Sequence, residues 1–453
     1  MLWGYSAPVS DGGQEKVSNG SDPQVWGRSS TAAVLDHVWG LENFRADDVI
    51  GALGLTRSIA LQAVDSLIEL GLAHETGPNT TATARKGRPA RSFGFRADAG
   101  AILGIDAGGR AMTAIVADLT GTPLARAHLA LPLGSDALPI DQAMRRESVL
   151  SVADEALARA GLRRADVVAV GVGVPAPVNA LGESPVDSTG FWPGMNADLH
   201  TNLSEVFPAV RLENDAALAA MAERGTGIAI GCDNLVALLS EGGLGAGVFL
   251  DGRLVRGRHG GVGELAPLDH VDGVETATGL GVRIEAWARQ RIATGLPDSH
   301  PWTRLDPESP SAADVLASAQ IGDPVSEPLL RQISSVIART CTVLRNFYDP
   351  EVLVVCGSHA RALEPVLRLV RETLAVDSEL PAPRLMASEL GDEVVCLGAV
   401  TAARLEASRV ALPFFAARAK PRPACGPRPF RARSAPCHLL ARPRKPARVR
   451  LAP

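Results

Sequence analysis

The sequence predicts a small helical module followed by a large α/β body. Apolar residues recur at helical spacing from Thr31 to about Leu70, strand and helix signals alternate from Ala101 to about Ser408, and a linker rich in Thr, Gly and Arg, 76–94, lies between. At 453 residues the chain exceeds the size at which single cores stop growing, which also calls for more than one domain.

Residues 1–29 are rich in Ser, Gly, Asp and Pro without apolar period, and are expected to be a disordered leader. Ser30 or Thr31 can cap a first helix carrying Val34, Leu35 and Val38. A second helix opens near Asp47 and Asp48, whose charges suit a helix N-terminus, and closes at Gly54. After the Gly54-Leu55 turn, Thr56 can cap a third helix. Ala60, Ala63, Val64, Leu67 and Leu70 share one of its faces, and Arg57, Ser58, Leu61 and Gln62 the other.

Helix, tight turn and capped helix form a helix-turn-helix pattern, in which the third helix enters the major groove and its early residues meet base edges. Thr56, Arg57, Ser58 and Gln62 are the candidate base readers. Past Gly71, a helix C-cap, GLAHETGPNTTATARKGRPARSFGF alternates weakly around a basic, glycine-rich tip, as a β-hairpin wing does. Arg85, Lys86, Arg88 and Arg91 are its candidate DNA contacts. The alternative is a small helical domain with a flexible basic loop.

In the body, AILGIDAGGRAMTAIVADLTG reads as a buried strand ending in Asp106, a glycine turn with Gly108 and Gly109, and a second strand. Such a turn brings backbone N–H groups near a phosphate, although Asp before glycines is also an ordinary turn former. VVAVGVGVPAPVNALG is a buried strand opening into a loop. RLENDAALAAMAERGTG delivers Glu213, Asn214 and Asp215 to the start of a helix. NLVALLSEGGLGAGVFLDGRLVRGRHGGVGELAPLD supplies two strands, a second glycine-rich loop with Gly242, Gly243 and Gly245, and Glu264. DPEVLVVCGSHARAL and GDEVVCLGAVTAAR give a strand with a glycine turn and a closing helix.

In this order, over roughly residues 30–408, the segments are similar to the ROK family of bacterial sugar kinases and transcriptional repressors; the LENDA and GGVGEL stretches carry most of the likeness. The resemblance implies an actin-like, ribonuclease-H-like pair of α/β lobes around a cleft. It divides the chain into a winged helix-turn-helix at 30–95, a first lobe at 96–225, and a second at 226–408 with the closing C-terminal helix. It also implies that Asn214, Asp215 and Glu264 line a sugar pocket, with Asp215 where a kinase keeps its general base. Other readings of the same residues are a turn cap for Asp106, a helix cap for Asp215 and a solvated loop for Glu264.

Departures gather where a kinase holds metal and nucleotide. Arg110 and Gly243 stand at positions of Thr, Glu241 adds negative charge beside the second loop, Pro267 replaces a histidine, and Phe191 aligns with a sugar-contacting Asn. LDHVDGVETATGLG lacks the closely spaced cysteines of the family's zinc site, and His270 and Cys232 have no partners at ligand spacing, so neither metal nor other cofactor is expected. Cys232, Cys341, Cys356, Cys396, Cys425 and Cys437 are scattered and expected to be reduced.

Of the 45 Lys and Arg, twelve fall in 409–453 among no acid, while all 50 acidic residues lie before them. The body is therefore acidic, and nucleic-acid contact must come from a local basic patch. The basic Pro/Arg-rich stretch 409–453 is expected to be unstructured, as a nucleic-acid arm, a solvated tail or the product of a frame error. No apolar run approaches a membrane span and no secretory signal precedes the body, so a cytoplasmic protein is expected. Its expected partners are operator DNA, a small sugar-like effector and a second copy of itself, with no membrane. A sugar kinase carrying a DNA-binding domain, and a DNA-binding protein whose body only dimerises, are the alternatives.

Overall fold

The computed structural model describes residues 23–76, 91–132, 134, 138, 140–319, 322–376 and 381–419, with backbone alone for 23–29 and 375–376. The first module runs α1 (Pro23–Val38), β1 (Phe44–Arg45), α2 (Ala46–Leu53), α3 (Arg57–Glu69), β2 (Ala73–Thr76) and β3 (Ser92–Phe95). The strands form a sheet ordered β1-β3-β2. Helix α1 begins seven residues before Ser30, which corrects both the leader's boundary at 29 and the cap expected at Ser30 or Thr31. Pro23 at the first helical position explains the earlier start, since its fixed φ suits a helix and its missing N–H costs nothing there. Strand β3 overlaps the end of the predicted linker and pairs on both edges, antiparallel to β2 as the hairpin reading of this stretch expects.

The α2-turn-α3 corner forms as its sequence dictates. Gly54 closes α2 in the left-handed region at φ 64°, and the Asp48 carboxylate accepts from the Arg45 N–H at 2.9 Å. Thr56 caps α3 by accepting from the Ile59 N–H. At its other end Gly71 takes φ 78°, while the Gly71 and Leu72 N–H groups satisfy the carbonyls of Ile68 and Leu67.

The body is one motif built twice. The first lobe contains β4 (Ala101–Ala107), β5 (Ala111–Asp118), β6 (Pro123–Ala130), α4 (Gln142–Arg159), β7 (Val167–Val174), the short helices α5 (Phe191–Asn196) and α6 (Leu199–Ser204), and β8 (Val210–Asn214). After α7 (Asp215–Gly225), the second contains β9 (Leu235–Ser240), β10 (Leu244–Leu250), β11 (Arg253–Leu254), α8 (Leu280–Ala293), α9 (Ala312–Ser318), α10 (Glu327–Tyr348), β12 (Val352–Cys356), α11 (Glu364–Val376) and β13 (Arg384–Ala387), followed by α12 (Val394–Arg418). The sheets are ordered β6-β5-β4-β7-β8 and β11-β10-β9-β12-β13. Each has an antiparallel three-strand meander joined to two parallel strands.

Two helices exchange sides between the lobes. Helix α7 packs on the second sheet: a Cβ on Gly247 would come within 2.1 Å of the Ala216 carbonyl oxygen. Helix α12 lies on the first sheet, where a Cβ on Gly171 would come within 2.1 Å of the Ala399 carbonyl oxygen. The two cross at Leu218 and Gly398. This corrects the division at 225/226 and the placing of the closing helix in the second lobe; glycine lets backbone approach backbone, and that is a tertiary relationship.

The far end of α12 corrects the expected tail boundary at 408. Ala407, Ala411 and Phe415, four residues apart, are buried in a core shared with Val34, Leu35, Val64, Leu67 and Phe93 of the first module and Ile102, Ile115 and Val168 of the first lobe. Trp39 adds a hydrogen bond to the Leu119 carbonyl at 2.9 Å and stacks near Phe95. Apolar burial thus extends the helix through Arg418 despite Pro413; residues 420–453 lie outside the described residues.

Candidate functional site

Two candidate sites emerge, one on the first module and one in the body. On the first module, Thr56, Arg57, Ser58 and Gln62 are all exposed along the early part of α3, while Ala60, Ala63, Val64 and Leu67 are buried. The Arg57 guanidinium donates to the Asp47 carboxylate of α2 at 2.9 Å across the turn, and both side chains stay exposed. Ile59 adds an apolar group to the face.

Arg91, expected as a DNA contact, has carboxylate partners within the module. It donates to Glu75 on β2 at 3.0 Å and to Asp65 on α3 at 3.1 Å, and its guanidinium lies over the Phe93 ring. In this arrangement it ties the base of the hairpin to α3; two carboxylates nearby were invisible to a reading of local charge alone. Arg85, Lys86 and Arg88 lie outside the described residues.

The second site is the cleft between the lobes. Asp106 stands at the end of β4, Asp215 at the start of α7, Glu241 just beyond β9, and Glu264 in the loop whose backbone bridges to Gly245 on β10. Chain-distant segments thus supply these four carboxylates. Burial raises Asp215 to about 8, opposed by the Ala216 N–H it accepts and reinforced by the charges of Asp106, Glu264 and Glu241. Burial raises Asp106 to about 7, with Glu241 adding to the rise and Arg145 opposing it. Glu264 is raised by burial.

Asn214, not Asp215, caps α7: its Oδ1 accepts from the Ala217 N–H at 3.0 Å and its Nδ2 donates to the Ala176 carbonyl at 3.2 Å. Half of its hydrogen-bonding capacity is therefore committed to the protein, one acceptor site and one donor. Gly108 and Gly109 form the β4–β5 turn beside Asp106. A Cβ on Gly108 would approach the Ala111 carbonyl oxygen to 2.7 Å. Gly242 and Gly243 form the β9–β10 turn, where the Gly242 carbonyl accepts from the Gly279 N–H at 3.1 Å. Gly245 lies within β10 against Ala216.

Three groups of the cleft were missed in the sequence. Arg145 on α4 is fully buried and donates to the carbonyls of Ala107 at 2.7 Å, Gly108 at 3.0 Å and Met195 at 3.3 Å, fixing the first turn from behind. Burial lowers its guanidinium to about 10, partly offset by Asp106. Arg256, beyond β11, places a forked pair of hydrogen bonds on buried Glu213 of β8, joining the lobes; Arg211 flanks the same carboxylate. Ser358, after β12, donates to Glu241. Nothing in the periodicity of α4 distinguishes Arg145 from a surface arginine. Glu213 offered a weak signal, as an acid within a strand. Among the described residues no group of three or more His, Cys, Asp or Glu gathers as metal ligands, and no helix is long and apolar enough to cross a membrane.

A doubled α/β lobe around an acidic cleft, preceded by a winged helix, defines the class, and the sequence pattern of the ROK family matches residues 102–405. The chain belongs to the ROK family. It is similar to a ROK transcriptional regulator homologous to the E. coli MLC protein, with 22% identity, coverage of 86% of this chain and 99% of that one, and a TM-score of 0.67. It is also similar to a ROK glucokinase from Streptomyces griseus solved with glucose and AMPPNP, at 24% identity, 68% and 100% coverage, and a TM-score of 0.55. The regulator likeness thus extends over more of the chain than this kinase likeness.

Among curated relatives, the xylose repressor of Caldicellulosiruptor bescii is 22% identical over 76% of this chain and 88% of its own length. The bifunctional enzyme NanE/NanK of Brucella suis is 29% identical over 42% of this chain, which spans about a third of that relative, 34%. Repressors and kinases of the family both resemble the chain.

Proposed function

We propose that the protein is a cytoplasmic, ligand-responsive transcriptional regulator, most simply a repressor, that binds a twofold operator as a homo-oligomer. The observation that carries this reading is the buried core that the winged helix shares with the body. Its helices, the first sheet and α12 share one buried core, so a change in the first lobe's position moves the exposed face of Thr56, Arg57, Ser58 and Gln62 with it.

A sugar or sugar derivative held by Asp215, Glu264 and the remaining donor of Asn214 would change lobe closure. In an oligomer, closure alters the spacing of two reading faces against operator half-sites. DNA affinity changes only by as much as the ligand distinguishes the two spacings. Genomic fragment selection with the purified protein, followed by titration of any enriched palindrome with and without a sugar panel, tests this. A palindrome whose binding responds to a sugar supports the reading. Fragments no better than random sequence oppose it.

The second reading, a sugar kinase carrying a DNA-binding domain, is favoured by one observation. Asp215, raised to about 8, is a carboxylate that can exchange a proton near neutral pH, as a general base must. A coupled assay with ATP and Mg²⁺ over the same panel decides: turnover that disappears in Asp215→Asn replaces the regulator reading with this one.

A further inference from the structure

A backbone N–H and a hydroxyl aimed at one point form a cradle for an oxyanion, and in this cleft the cradle is already filled. The Ser358 N–H donates to Glu241 Oε1 at 2.7 Å, and its Oγ–H donates to Oε2 at 3.0 Å, so each carboxylate oxygen takes one donor. The surrounding backbone is shaped around this residue. Gly357, at φ 117°, lies where a Cβ would come within 2.9 Å of Glu241 Oε1 and 2.4 Å of the Ser240 carbonyl oxygen. A Cβ on Gly279 would come within 1.8 Å of the Glu241 carbonyl oxygen. The buried Leu280 N–H closes the junction on Ser240 Oγ at 2.8 Å. Three chain segments, the ends of β9 and β12 and the start of α8, therefore meet at Glu241.

The carboxylate is exposed at the end of β9, beside the Gly242-Gly243 turn, and its charge adds to the raised carboxyls of Asp106 and Asp215. We propose that Glu241 is an internal occupant of an oxyanion site in the cleft, supplying from the chain the negative group that a phosphate would otherwise bring and so excluding phosphate-bearing ligands. This deepens the proposed function, and rests on it in one respect: a body that senses an unphosphorylated ligand needs no open phosphate site. The wild-type cleft selects against ATP and sugar phosphates in favour of ligands without a phosphate group. Removing the carboxylate empties the cradle and exposes the Ser358 donors beside the β9–β10 turn.

The test is calorimetric titration of the full chain with inorganic phosphate, glucose 6-phosphate and ATP as separate probes, for the wild type, Glu241→Ala and Glu241→Ala/Ser358→Ala. Expected is at least tenfold tighter binding of one or more probes by Glu241→Ala than by the wild type, with the gain reversed in the double variant. Binding of free phosphate alone marks a simple anion site; binding of only the larger probes marks a site that also needs the rest of the ligand. Equal affinity in wild type and Glu241→Ala, or a gain that survives loss of the Ser358 hydroxyl, overturns the proposal. Hydrogen exchange at the Ser358 amide of the wild type gives a readout independent of the folding of any variant: protection is expected, and exchange at the rate of an open loop overturns it. Operator binding is measured separately, so failure here leaves the regulator reading standing.

Discussion

Arg256 of the second lobe places its guanidinium on the buried Glu213 carboxylate of the first, with the Arg256 Nε at 2.9 Å from Glu213 Oε2. Beside this pair, Gly260 packs so closely on Val178 that a Cβ would meet its backbone at 2.3 Å. The lobes are thus held by a charge pair and a close backbone contact. Removing one member leaves a buried carboxylate with only Arg211. Arg256→Ala is expected to cost about 1–3 kcal/mol, below the usual range for a fully buried pair because Arg256 reaches partly into solvent and Arg211 remains. Urea denaturation measures it. A double variant Glu213→Gln/Arg256→Met should recover part of the loss, and additive losses would show that the two side chains do not act as a pair.

Arg57→Ala should weaken binding to the selected operator by about 1–3 kcal/mol and binding to random DNA much less, because a base-edge contact discriminates sequence. Lys86→Ala and Arg88→Ala, in the basic stretch, should instead lower affinity for every sequence and reduce the salt dependence by about one counterion each. Titrations at several salt concentrations separate the two behaviours. Equal losses of Arg57→Ala on both DNAs would remove it as a base reader.

The cleft carboxylates carry a pH signature. Asp215 and Asp106 are raised from 3.8 to about 8 and about 7, so between pH 4 and 8 the folded chain holds protons that the unfolded chain has released. Their contribution to stability is therefore complete below about pH 4 and lost as pH rises toward 8. Asp215→Asn, which never ionises, should melt higher than the wild type at pH 8 by a few degrees, and by less at pH 5. An advantage that is the same at both pH values would show that Asp215 is ionised in the folded protein throughout.

Phe415 lies in the core that joins α12 to the winged helix and the first lobe, with its ring 3.2 Å from where a Cβ on Gly100 would stand. Phe415→Ala is expected to destabilise the protein by about 3 kcal/mol through lost burial and a cavity. A chain ended at residue 408 loses Ala411 as well and should melt lower still. Thermal melts read both; an unchanged melting temperature on truncation would place the end of the stable fold at 408 after all.

The sequence by itself determined the elements whose causes are local. Thr56, Gly54 and Gly71 set the ends of α2 and α3 through cap chemistry within a few residues, and the alternation of strand and helix after Ala101 carried the α/β class. Asp215 and Glu264 were legible as candidates through the likeness to a known family, and Asp106 through the glycine turn that follows its strand. The start of α1 and the end of α12 were misjudged because composition spoke for disorder at both termini. Phe415, Ala411 and Ala407 form a buried face only once a partner core lies against them.

Tertiary structure alone decided which distant groups meet. Arg91 closes on Asp65 and Glu75 from elsewhere in the winged helix, Arg145 reaches the carbonyls of Ala107 and Gly108 from a helix that follows them, and Ser358 finds Glu241 across the second lobe. It also decided that α7 and α12 change lobes, through glycines whose absent Cβ matters only when another backbone arrives. Helical period and cap chemistry act over one or two turns and are written along the chain. The partner of a charge, or of a missing side chain, depends on close packing between segments separated along the chain and exists only when the chain is folded.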